Sequence, residues 1–278
     1  MDGGLIKVGP GTLTVTATNT YTGPTHVYEG VLVVSGFQNT MLQNTTNLYV
    51  AAGAGWIGTG DLPPVLAYSG HKLWGNGYLT NGNGIRIASG GILEPGTNGI
   101  GQLTFSNNVI LLSGSTNVFE LNKSALTNDS IRVLADVSLG GTLIVSNISG
   151  TLAAGDSFKL VDAATYSGSF STVILPSLNA GLVWNTNSLN SSGIISVVST
   201  ATPVFASSSI SGNNLLMTGS NGTANTSYYV LTSTNVALPM TNWARLITNQ
   251  FDGSGNFIFS NSIDPATPRL FYRLQLPP

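Results

Sequence analysis

Apolar and polar residues alternate along this chain in short phrases that begin at glycine. Gly11-Thr12-Leu13-Thr14-Val15, Gly30-Val31-Leu32-Val33-Val34, Gly91-Ile92-Leu93-Glu94-Pro95, Gly101-Gln102-Leu103-Thr104-Phe105 and Gly141-Thr142-Leu143-Ile144-Val145 share the form. A period of two over about five residues describes a strand with one buried face. Asn81-Gly82-Asn83-Gly84 and Ser113-Gly114-Ser115 separate such phrases as turns. From Gly11 to Gly30 the phrase returns after one short interval, of the length a single solenoid coil occupies. Such a return predicts a parallel β-helix or related solenoid, in which each coil buries its Leu, Val and Ile against the coils above and below.

The pattern changes twice. Residues 37–80 fit it less well. Trp56, Tyr68, His71, Trp74 and Tyr78 gather there with Pro63-Pro64 and Gly53, Gly55, Gly58 and Gly60, which predicts a longer excursion or an irregular coil. Strands resume at Phe158-Lys159-Leu160-Val161, Thr172-Val173-Ile174-Leu175, Gly181-Leu182-Val183-Trp184 and Ile194-Ile195-Ser196-Val197-Val198. Val198-Ser199-Thr200-Ala201-Thr202-Pro203 then reads as a linker. The expected organisation is a β-helical domain at 1–198 and a small domain at 203–278. In the second domain five strands are expected: Asn214–Met217, Ser227–Thr232, Trp243–Ile247, Phe257–Phe259 and Leu270–Leu276. With Asp252-Gly253-Ser254-Gly255 as a turn, they predict a small antiparallel β-sandwich.

Composition explains how such a chain manages its surface. Gly, Ser, Thr and Asn make up more than two-fifths of it, a mixture that favours corners and strand surfaces over helices. There are only 9 Lys+Arg and 11 Asp+Glu, and none of them falls between Asp162 and Arg245. A formal net charge of -2 gives no field for a nucleic-acid backbone. The lack of cysteine excludes disulfides, thiolate metal sites and a cysteine nucleophile. No apolar run is long enough to suggest a membrane helix. Met1-Asp2-Gly3-Gly4 carries no secretory signal, and Gly4–Gly11 reads like the middle of an ongoing pattern, so the chain is expected to be part of a longer protein.

Gly11–Thr16, followed by Asn19-Thr20-Tyr21-Thr22-Gly23 and Glu29–Val34, resembles the autotransporter-associated β-strand repeat. Pro24 stands where that repeat usually has glycine. Residues 90–198, through Gly91–Gly96, Thr151–Phe158 and Ala180–Trp184, resemble the segment that follows such repeats in large exported bacterial proteins. Tyr228–Asn235 and Phe271–Leu274 are similar to terminal domains of exported proteins from Verrucomicrobia-like bacteria. The resemblance implies a β-helical exported or surface protein and implies no catalytic residues.

Candidate chemistry is sparse. Trp56, His71 and Trp74, with Lys72 and Asp61, form the richest cluster of functional side chains. Rings flanked by polar groups suit stacking on sugars, as do Tyr228, Tyr229 and Trp243 further on. Alternation sets His26 and Glu29 on opposite faces. Glu94, Glu120, Asp129, Asp136, Asp156 and Asp162, with Lys123, Arg132 and Lys159, are scattered singly, whereas glycoside cleavage wants two carboxylates at a set separation. On stacked coils, residues one coil apart can sit side by side, so Glu120 with Arg132, or Asp156 with a residue of a neighbouring coil, are the pairs that stacking could bring together. Asp252–Asn256 lacks the closing carboxylate of a calcium loop, and no phosphate-loop or Gly-x-Ser-x-Gly signature occurs. The expected function is structural or adhesive: a stiff β-helical stalk of an exported or cell-surface protein, whose C-terminal sandwich caps the last coil. It calls for no cofactor, metal or nucleic acid, and its partners are the rest of a larger parent chain and a polysaccharide or cell-surface glycan. The alternatives are a carbohydrate-binding module using Trp56, His71, Trp74, Tyr228 and Trp243, and a divergent polysaccharide-degrading enzyme.

Overall fold

The computed structural model describes residues 3–16, 21–35, 45–59, 65–97, 99–200 and 202–277. It is an all-β chain, and its first part is a parallel β-solenoid. Leu5–Lys7 (β1) and Thr12–Val15 (β2) make the first coil, and Thr25–Val27 (β3) and Val31–Ser35 (β4) the second. Coil three holds Asn47–Val50 (β5), Gly55–Thr59 (β6) and Val65–Ala67 (β7). Coil four holds Lys72–Gly75 (β8), Tyr78–Asn81 (β9) and Ile85–Ile87 (β10), and coil five Ile92–Pro95 (β11), Gln102–Phe105 (β12) and Val109–Leu111 (β13). The last coils carry Thr116–Asn122 (β14), Thr127–Asn128 (β15), Ser130–Leu139 (β16), Thr142–Ser149 (β17), Ser157–Lys159 (β18), Val161–Gly168 (β19) and Thr172–Ile174 (β20).

The strands stack into sheets along the coil axis. Sheet one runs β1-β3-β5-β8-β11-β14-β17-β20, with parallel pairing at each step. A second face runs β2-β4-β6-β9-β12 and a third β7-β10-β13. The long β16 pairs with both β12 and β13 and joins them into one sheet. Coils lengthen along the stack, from the interval that pairs Leu5 with Thr25 to the longer one that pairs Leu143 with Val173.

The recurring phrase therefore serves two faces. The phrases led by Gly11, Gly30 and Gly101 lie in the second face, and those led by Gly91 and Gly141 in sheet one. Each phrase follows a corner, and corners are where glycine is required. At Gly141, φ is +68° and a Cβ would sit 2.3 Å from the Ser115 carbonyl oxygen of the coil below. Gly30 is built the same way, at φ +65° with the Gly11 oxygen 2.3 Å from an added Cβ.

Within residues 37–80, where a longer excursion or an irregular coil is expected, the described stretches 45–59 and 65–80 supply strands β5 to β9 of coils three and four, and β5, β6, β8 and β9 pair in register with their neighbours. Trp56 takes an inward position in the column Leu32–Trp56–Leu79–Phe105–Val133 and is 0 % exposed. Gly55 makes room beside it for the Tyr78 ring. At β6 an indole and a glycine, Trp56 and Gly55, stand at buried positions and interrupt the aliphatic alternation. Pro63-Pro64, Gly60 and Asp61 lie outside the described residues, as do Asn19-Thr20 of the repeat turn.

Leu182–Asn185 (β21), a short helix at Leu189–Ser192 (α1) and Ile194–Ser199 (β22) follow. Strands β18, β22 and β21 form a three-stranded sheet, α1 packs on β19, and Leu189 is buried there.

The chain divides into two compact units. The first comprises Met1–Leu152, Asp156–Leu178 and Trp184–Ser196, and the second Ala153–Gly155, Asn179–Val183 and Val197–Pro278. The second unit holds Val204–Ser211 (β23), Asn214–Ser220 (β24), Ser227–Ser233 (β25), Ala244–Gln250 (β26), Phe257–Ser262 (β27) and Phe271–Gln275 (β28). They form two antiparallel sheets, β23-β24-β27 and β26-β25-β28. Tyr228, Val230, Phe251, Phe257 and Phe259 build one core between them, with Met217, Tyr272 and Leu274 packed against it, a sandwich-like arrangement. Strand β23 was not expected. Its Ser207-Ser208-Ser209 run shows no alternation, and every residue of it is exposed.

Candidate functional site

Among the described residues of the solenoid, the outer face of sheet one carries the densest cluster of functional side chains. Because β3, β5 and β8 pair in register, His26 lies beside Tyr49 and Tyr49 beside Trp74. Ring centroids are 5.6 Å apart for His26–Tyr49 and 4.6 Å for Tyr49–Trp74, and Tyr28 joins at 5.3 Å from Tyr49. His26 meets Tyr28 and Tyr49 edge to face, and Tyr49 is tilted against Tyr28 and Trp74. The Lys72 ammonium lies 4.9 Å from the Trp74 ring centroid and 2.6 Å from a Glu94 carboxylate oxygen. Tyr28 is 44 % exposed and its hydroxyl lies 3.3 Å from His26 Nδ1. Partial burial holds the His26 imidazole below its ordinary value of 6.5.

The residues expected to bind sugars end up in different places. Trp56 and Tyr228 are both 0 % exposed, which corrects their placement on a ligand surface: each ring belongs to a core. The Trp56 indole N–H is buried with no hydrogen-bond partner among the described residues. His71 packs its ring 6.0 Å from Tyr68, and partial burial lowers its pKa as well. Trp74 is half-buried between Tyr49 and Lys72. Trp243 follows a 3-10 turn at Met240–Asn242 and donates its indole N–H to the Leu238 carbonyl at 3.0 Å. Nearby, the Arg245 guanidinium lies 3.6 Å over the Tyr229 ring. His26, Tyr28 and Tyr49 went unrecognised as partners of Trp74. The signal for them is the coil interval itself, which carries the chain from His26 to Tyr49 and again from Tyr49 to Trp74.

The acidic residues are engaged structurally. Among the described residues, ion pairs join Lys72 to Glu94, Lys123 to Asp156 and Lys159 to Asp162, so Glu120 and Arg132 do not pair. Thr165 donates its hydroxyl to Asp136 at 2.6 Å. Asp129 is 1 % exposed and accepts the Gly101 N–H at 2.7 Å on one oxygen and the Glu120 N–H at 2.8 Å on the other. Burial pushes its pKa up to about 7, opposed by those two hydrogen bonds and assisted by Glu120 and Glu94. It clasps β14 to the corner before β12. Asp252 accepts the N–H groups of Asn256 and Ser254, both at 2.8 Å, and these bonds lower its pKa. Among the described residues no three His, Asp or Glu side chains gather as a metal site, and no helix is long and apolar enough to cross a membrane.

Residues 5–34 match the family described as Passenger-associated-transport-repeat. The match spans β1 to β4, the first two coils, in keeping with the resemblance carried by Gly11–Thr16 and Glu29–Val34. No curated protein matches the chain.

Proposed function

We propose that this chain is a structural or adhesive module of an exported bacterial surface protein, a stiff solenoid that spaces or displays other parts of a longer polypeptide, with the C-terminal sheets as its capping or attachment element. The observation that carries this reading is the parallel ladder of sheet one, in which every strand from β3 to β17 is hydrogen-bonded on both sides. Such a stack couples each coil to its neighbours, so force or protease that opens one coil must also break its ladders to the coils beside it. The passenger-repeat match at residues 5–34 supports an extracellular location.

Single-molecule pulling on the full chain tests the reading. A stalk extends in discrete steps, each releasing the chain length of one or a few whole coils, such as the stretch from Leu5 to Thr25 or from Leu143 to Val173. Smooth extension at low force would refute it. A glycan array run in parallel is expected to stay blank. Binding that disappears in Trp74→Ala or Trp243→Ala would instead establish a carbohydrate-binding module.

A further inference from the structure

The aromatic ladder belongs to a longer stripe. Strand register sets Ile6, His26, Tyr49, Trp74 and Glu94 side by side on successive coils. Leu93 pairs with Asn117, so Glu94 stands level with Val118, and the column continues through Ile144 to Ile174. Seven steps at the spacing of neighbouring strands make a stripe about 34 Å long. Every side chain in it except Glu94 is apolar or aromatic, and its ends are open, with Ile6 64 % and Ile174 50 % exposed. The column beside it, Asn47, Lys72, Ile92, Thr116, Thr142 and Thr172, is mostly polar. A continuous apolar stripe with a polar margin is the mark of an interaction surface.

Its chemistry points to a protein partner rather than a sugar. Neighbouring rings are tilted or perpendicular to one another and share no common plane, and half the stripe is aliphatic, with no π-face to offer. The two halves are also complementary to each other. Rings lie on one side of Glu94 and smaller branched side chains on the other. A twofold axis through Glu94, lying in the interface parallel to the strands and at right angles to the stripe, sets Trp74 over Val118, Tyr49 over Ile144 and His26 over Ile174 of a second chain. At the axis each Glu94 meets a Lys72 from the other copy as well as its own, so the one charged position closes with both signs present. Parallel pairing would instead set ring against ring and leave the aliphatic ends apart.

We infer that the outer face of sheet one is where two copies of this chain associate, antiparallel and side by side. The inference extends the stalk reading by naming a partner, and the pulling experiment can succeed where this one fails.

Sedimentation equilibrium on the full chain should give twice the 28.7 kDa chain mass at micromolar concentrations. Ile144→Lys and Tyr49→Lys change outward positions, so circular dichroism and Tm should confirm folding, while the dimer dissociation constant should rise on the order of tenfold or more. The chain has no cysteine, so orientation can be read directly by mixing Tyr49→Cys and Ile144→Cys copies under mild oxidation. The mixed disulfide should dominate over either homodimeric one. A monomer throughout the concentration range, a dimer indifferent to both lysines, or predominant Tyr49→Cys homodisulfide would each overturn the inference. So would a monomer that binds neutral glycans through Trp74.

Discussion

Asp129 and Lys7 are charged residues placed where a solenoid corner needs them. Lys7 is nearly buried and donates from its ammonium to the carbonyls of Val8, Gly9 and Glu29 at 3.0, 2.5 and 2.9 Å, tying the corner after β1 to the next coil. Asp129 does the converse for two N–H groups, but its raised pKa leaves a pH signature. The folded chain holds a proton between 3.8 and about 7 that the unfolded chain has released. Its contribution to stability is therefore full below 3.8 and is lost as pH rises through about 7. The lowered values of His26 and His71 act oppositely, with stability present above 6.5 and lost on acidification. Comparison with Asp129→Asn separates these effects. The Tm advantage of the wild-type chain should be largest near the acid end of this window and shrink toward neutral and alkaline pH. An advantage that does not vary with pH would show that Asp129 ionises freely. Neither residue's role was legible in the sequence, where Lys7 reads as one more strand position and Asp129 as an isolated carboxylate. Their partners, Glu29 and Gly101, are supplied by the next coil and the preceding one.

At the scale of single elements, the glycine-led phrase was legible and its sheet was not. Alternation identifies a strand from a few residues, but Gly91 and Gly101 open nearly identical phrases that join different faces. What decides between them is the corner each phrase follows. The corner glycines should therefore be less tolerant than the strands they introduce. Gly141→Ala forces a side chain to φ +68° and onto the Ser115 carbonyl, and should destabilise by about 1–2 kcal/mol or more, read from chemical unfolding. Gly53, also at positive φ but with open space around it, isolates the backbone cost, so Gly53→Ala should cost less. Equal losses at both sites would mean that the coil contact contributes nothing. Strand β23 shows the opposite limit: a serine run has no periodicity to read, and only its pairing with β24 makes it a strand.

Across the whole molecule, stability comes from columns of side chains that repeat once per coil. Thr25, Leu48, Leu73, Leu93, Asn117 and Leu143 form one such column under sheet one, all of them buried. Two members are polar. Thr25 is satisfied by the hydroxyls of Tyr21 and Thr45, and the Asn117 amide donates to Ser115, Gly140 and Thr142. In a stack, a hole in one coil loosens both neighbours. Leu73→Ala should cost about 2–5 kcal/mol and should raise hydrogen exchange in the strands at Asn47–Val50 and Ile92–Pro95 as well as its own. Loss confined to Lys72–Gly75 would argue that the coils are not coupled.

The sequence by itself determined the all-β class, the strand phrases and the change of architecture after the solenoid, because period-two alternation and composition are local properties. Only the tertiary structure decided which phrase joins which face, that Trp56 and Tyr228 are core, that His26, Tyr49 and Trp74 form one ladder, and that Asp129 is buried. Those outcomes depend on residues a whole coil apart in the chain being brought into register. Register follows from the number of residues in each corner, which varies from coil to coil, so the return of the phrase does not by itself fix which residues pair.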